Sequence, residues 1–179
     1  MSKVIDLNES RLIVAAKRGY RNWKSHFNEE FGLNTRICQL SKDTLCYLAQ
    51  GRDKGTFLLY DLIMNLKGFG SGFEFEELSP HQKIAVIDQY LFLLDRIRFE
   101  CMKRLGWLEA YPGEEYPLVE MIVNFERLGP SLHAKIPVIS PEFPVSGEYS
   151  GMNTFDKDVY IRKLIPKALE AIESHSTTL

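Results

Sequence analysis

Residues 79–106 read SPHQKIAVIDQYLFLLDRIRFECMKRLG, and this stretch decides the fold class. Ser79 is a helix cap, Pro80 suits the first helical position, and Gln82 completes a capping box. Behind that start, Ile84, Ile87, Leu91, Leu94, Cys101 and Leu105 recur at helical spacings. Val86, Tyr90, Leu93 and Ile97 widen the apolar arc, and Gly106 closes the segment. A helix this long, with an arc this wide, must be covered by other helices.

Working outward, the chain supplies them. Toward the N-terminus, about Arg52 to Lys67 is apolar nearly all round, with a narrow polar stripe of Lys54, Asp61 and Asn65. Ser41 caps a shorter helix holding Leu45, Leu48 and Ala49, closed by Gly51. From about Asn8 to Phe31, Ile13, Ala16, Tyr20, Trp23, Phe27 and Phe31 fall on one helical face. Toward the C-terminus, a helix starts near Pro117 and is expected to stop at Gly129-Pro130. The last helix begins near Asn153 or Thr154, and Pro166 is expected to kink or divide it. Between them, residues 136–152 carry Pro137, Pro141, Pro144, Gly147 and Gly151, which predicts an extended arm or ordered loop. The expectation is an all-α single-domain bundle of about six helices over residues 1–179, with that arm before the last helix.

Arg98 is the main anomaly. At 100° per residue it projects into the apolar arc beside Leu91, Leu94 and Leu105. A buried guanidinium needs an anion, because an unpaired core charge costs several kcal/mol. Asp95 lies one turn away, and Asp61 sits on the polar stripe of the most apolar helix. These residues, with Tyr90, form a candidate small-molecule pocket or a structural ion pair.

A second anomaly is the first helix. Arg11, Lys17, Arg18, Arg21 and Lys24 fall between Ser10 and Asn28, a span with no acidic residue. Such a face either contacts phosphate or an acidic protein surface, or is paired by acids elsewhere, Glu74, Glu76 and Glu77 being the obvious ones.

Other chemistry finds little support. The three cysteines form no CxxC, and the four histidines are scattered without metal-ligand spacing, so no metal and no cofactor are expected. Residues 68–72 (GFGSG) lack both the GK[ST] of a phosphate loop and a preceding strand. Residues 41–67 have a loose helix-turn-helix spacing, but their second helix lacks the polar face that reads bases. With 22 Lys and Arg against 24 Asp and Glu, the net charge of −2 excludes a globally basic binder. No apolar run reaches membrane-spanning length, and residues 1–6 show no secretory signal, so a cytoplasmic location is expected.

The leading expectation is a protein-interaction or regulatory module, acting as a homo-oligomer whose arm, with Phe143 and Tyr149, reaches a neighbour. Nucleic-acid binding through Lys17, Arg18, Arg21 and Lys24 is the second. The third is an enzyme or small-molecule binder around Arg98 and Asp61.

Overall fold

In the computed structural model, which describes residues 7–144 and 146–174, the capping box at Ser79 is closed from both sides. Gln82 N donates to Ser79 Oγ at 3.2 Å and Ser79 N donates to Gln82 Oε1 at 3.1 Å. The leading stretch 1–6 and His175 lie outside the described residues. The helices are α1 (Leu7–Gly19), α2 (Arg21–Phe27), α3 (Lys42–Ala49), α4 (Asp53–Lys67), α5 (Pro80–Arg104), α6 (Leu118–Val123), α7 (Phe125–Ala134), α8 (Ser146–Ser150) and α9 (Thr154–Ser174). Strands β1 (Leu108–Ala110) and β2 (Val138–Ile139) pair antiparallel, Leu108 opposite Ile139, and 3-10 turns span Ile37–Gln39 and Gly72–Glu77. The chain is all-α, and no described helix is long and apolar enough to cross a membrane.

Helix α5 is the spine, shared by two apolar clusters. Its Val86, Tyr90, Leu93, Ile97 and Cys101 pack with α1, α2, α3, α4, α6 and α7 around Trp23, Leu58 and Leu62. Its Phe99 and Met102 pack with β1, β2, α8 and α9. The buried stripe is thus displaced from the expected seam: Ile84 is 59% and Leu91 52% exposed. The arc is apolar over more than half the circumference, so periodicity alone leaves its centre undefined, and α4 chooses the 86/90/93/97 stripe.

Other boundaries differ as well, and the helix expected from Pro117 onward is divided at Asn124 into α6 and α7. The first helix breaks at Tyr20 (φ −90°, ψ −2°), and Asn28 in the left-handed region ends α2. Phe31 nonetheless returns to the core, stacked 5.3 Å from Tyr20 and edge-on to Trp23 at 5.4 Å. Gly129-Pro130 does not stop α7, which carries Pro130 inside it, and Pro166 likewise sits inside an undivided α9. In both, buried apolar side chains straddle the proline, Leu128 and Leu132 in α7, Leu164, Ile165 and Ala168 in α9. At about 1.5–3 kcal/mol per buried side chain, this burial offsets the missing backbone bond.

The arm folds onto its own chain. It contributes β2 and α8, Tyr149 is buried with its hydroxyl donating to Pro137 O at 2.6 Å, and the Phe143 ring lies tilted against Trp107 with centroids 5.4 Å apart. The strand pair was not legible because strands of three and two residues are too short to show a period.

Candidate functional site

The sites that the sequence joined are taken apart by the structure. Arg98 is half-buried and its Nε donates to Ala49 O at 2.9 Å, capping the C-terminal carbonyl of α3 with a cation. Asp95 pairs with Arg162 of α9 at 3.0 Å. Tyr90 shares a hydrogen bond of 3.1 Å with Thr56. Tyr90 and Arg98 do meet around Gly51, whereas Asp61 takes Gly72, Asn22 and Asn65 as its partners, and no hydrogen bond or ion pair joins Arg98 to Asp61 among the described residues. The buried arginine is instead Arg96, 3% exposed, with its guanidinium 4.4 Å over Phe92 and 5.3 Å from Phe99. Its Nε has no hydrogen-bond partner, and desolvation brings its pKa down to about 10, against a smaller opposing effect of Asp95. The spacing Phe92, Arg96, Phe99 was the sequence signal for this sandwich.

Glu100 is the second buried charge. It accepts from the Tyr111 hydroxyl at 2.7 Å and from Arg104 Nε at 3.0 Å, while Arg104 also donates to Leu40 O at 2.7 Å. Burial beside Glu100 holds the Tyr111 hydroxyl protonated far above its usual range, and burial pushes the Cys101 thiol up to about 12. Both groups are locked structural parts, and among the described residues no cluster of three or more His, Cys, Asp or Glu could hold a metal ion.

Asp61 builds the most organised polar site. It is buried, and it accepts from Gly72 N at 2.8 Å, from Asn22 Nδ2 at 2.9 Å and from Asn65 Nδ2 at 3.1 Å. One carboxylate therefore ties α2, α4 and the 3-10 turn together. The turn is pressed so hard onto α4 that a Cβ on Gly72 would lie 2.8 Å from Phe57 and 3.0 Å from Asp61 Cβ. Phe73, next in the chain, is thrown outward and is 80% exposed, with its ring 4.7 Å from Phe57. Arg18, Arg21, Asn22, Asp61, Asn65, Ser71 and Phe73 line a cleft of about 340 Å3.

A longer groove of about 610 Å3 continues along α1, between Leu7, Arg11, Val14 and Arg18 on one side and Asn65, Gly68 and Gly70 on the other. Helix α1 lies this close to α4 because Gly19 has no Cβ, which would stand 2.9 Å from Leu62 Cδ1. Leu7 is 70% and Val14 48% exposed, so cations and aliphatics alternate at spacings of four, three and four.

The fate of the basic face is plain. Lys24 pairs with Glu30 at 3.1 Å, but Arg11, Lys17, Arg18 and Arg21 have no ion pair among the described residues. Of the acids expected to meet them, Glu74 accepts from Ser71 N at 2.8 Å and Glu76 pairs with Lys83 at 3.1 Å, while Glu77 makes no ion pair among the described residues. Sequence reasoning missed Asn22, which reaches the cleft from α2, and Ser71 and Phe73, which reach it through the turn after α4. Compared with protein-family models, with curated proteins and with solved structures, the chain matches none, so what this face does must follow from its own chemistry.

Proposed function

We propose that the protein is an interaction module whose recognition face is the Leu7–Arg18 side of α1, and that it takes an acidic, amphipathic segment of a protein partner. The observation that carries this is the alternation of uncovered aliphatics with unpaired cations over one continuous groove. Leu7 and Val14 offer apolar area to an incoming helix, while Arg11 and Arg18 offer charge to its flanking carboxylates. A nucleic-acid strand fits this groove less well. Strand binding wants a row of aromatic stackers, whereas the groove has leucine and valine, and Glu74 overhangs Gly70 at its rim.

The test is a titration of the full chain with a fluorescent amphipathic helix bearing leucine and glutamate, with its lysine counterpart, and with a single-stranded RNA. The glutamate helix should bind. Arg11→Glu with Val14→Asp should weaken it at least tenfold, since removing either side chain from such an interface costs about 1 kcal/mol or more. Equal binding of RNA, or indifference to the double substitution, rejects the reading.

A second reading has its own observation. Ile84, Ile87 and Leu91 project from α5 beside exposed Asp88, an apolar and acidic face complementary to that of α1. On this reading the partner is a second copy of the chain.

A further inference from the structure

We infer that the cleft walled by Arg18, Arg21, Asn22, Asn65 and Phe73 binds a mononucleotide whose base carries an exocyclic amino group. Asp61 determines what the cleft can recognise. Its carboxylate takes the Nδ2 groups of both Asn22 and Asn65, and a flipped amide would set Oδ1 against a carboxylate oxygen. Each amide is therefore locked, and its Oδ1 has no hydrogen bond among the described residues. The lining thus carries two oriented acceptors.

Arg18 and Arg21 add guanidinium donors with no acceptor of their own among the described residues. Phe73 adds a flat apolar ring, open to solvent and braced by Phe57 at 4.7 Å. A ligand that uses all three must carry negative charge, N–H donors and a planar face. A free amino acid generally lacks the combination, and the ring of a phosphorylated tyrosine bears no amino group to donate. An adenine, guanine or cytosine nucleotide has all three, with the phosphate on the arginines, the base on Phe73 and its amino group toward the asparagines. The volume of about 340 Å3 is at the small end of ligand pockets, and the lining includes one aromatic ring, which suits a single nucleotide better than a strand.

The site shares Arg18 and Asn65 with the α1 groove but depends also on Arg21, Asn22 and Phe73, which the groove does not use, so it stands or falls separately. The experiment is calorimetric titration of the full chain with AMP, CMP, GMP, UMP, adenosine and inorganic phosphate. At least one amino-bearing nucleotide should bind more tightly than UMP, adenosine or phosphate. Phe73→Ala and Arg21→Gln, both at exposed positions, should each weaken it roughly tenfold, the scale of one base stack or one charge-assisted hydrogen bond. Arg11→Glu, which reverses a charge of the α1 groove outside this cleft, should leave it unchanged. No saturable binding, phosphate binding as tightly as the nucleotides, or insensitivity to Phe73→Ala and Arg21→Gln would overturn the inference. Loss on Arg11→Glu with retention in Phe73→Ala would overturn it too, while leaving the recognition face of α1 intact.

Discussion

Arg96 shows how a single residue can cost a fold stability without serving as an ion pair. Its guanidinium is buried with no carboxylate hydrogen-bonded to it, and two ring contacts, about 0.5–2 kcal/mol each, oppose a desolvation penalty of several kcal/mol. Methionine has similar length, keeps contact with Phe92 and Phe99, and removes the charge. Arg96→Met should therefore raise the stability at pH 7 by about 1 kcal/mol. The pH dependence follows from the lowered pKa. Below pH 10 the folded and unfolded chains both carry the proton, and the charge is disfavoured in full. From about pH 10 up to the ordinary arginine range the folded state binds fewer protons than the unfolded one, so rising pH relieves the wild type. Urea titrations at pH 7 and pH 11 check this: the advantage of Arg96→Met should shrink at the higher pH. A variant less stable than wild type at pH 7 would mean that the ring sandwich outweighs burial.

At the scale of elements, α9 is a helix formed against its own sequence. Pro166 removes one backbone bond from the middle of a 21-residue helix, yet Ile161, Leu164, Ile165, Ala168 and Ile172 hold it together by burial. Pro166 itself faces solvent, so replacing it forfeits no packing. Pro166→Ala should stabilise the protein by about 1–3 kcal/mol, read as a higher urea midpoint with an unchanged slope. An unchanged or lower midpoint would show that α9 needs its irregularity. The same helix explains what could be read in advance. Helix existence was legible wherever the apolar spacing ran for four turns, as in α4, α5 and α9, because a periodic apolar face requires cover. Helix ends were legible where a side chain makes the cap, as Ser41 and Ser79 do. The facing of α5 was not, since Arg96 and Arg98 differ by 200° and only the partners of the helix decide which one is inside. Of the candidate site, the unpaired cations of α1 were visible, but Asp61 meets Asn22 and Gly72 through contacts 39 and 11 residues apart, which no local pattern encodes.

For the whole molecule, the net charge of −2 conceals two faces of opposite character. Helix α1 presents Leu7 and Val14 among unpaired cations, and α5 presents Ile84, Ile87 and Leu91 beside Asp88. Because the patches differ, α1 of one chain meets α5 of another, either reciprocally across a two-fold axis or head to tail. Such a contact closes into a ring or dimer if the rotation permits and otherwise extends. On the second reading, sedimentation velocity of the wild type should show mass rising with concentration and falling with salt. Ile84→Asp with Leu91→Asp should yield monomer, and so should Val14→Asp with Arg18→Glu. Mixing the two monomeric variants should then restore association, because each retains the face that the other has given up, and growth should stop at one pair. A wild type that stays monomeric at its highest attainable concentration, or variants that fail to complement, would leave α1 to a foreign partner. The arm supplies the control: Tyr149 and Phe143 are engaged within their own chain, so Phe143→Ala, which loosens the Trp107 contact, should lower stability without changing mass.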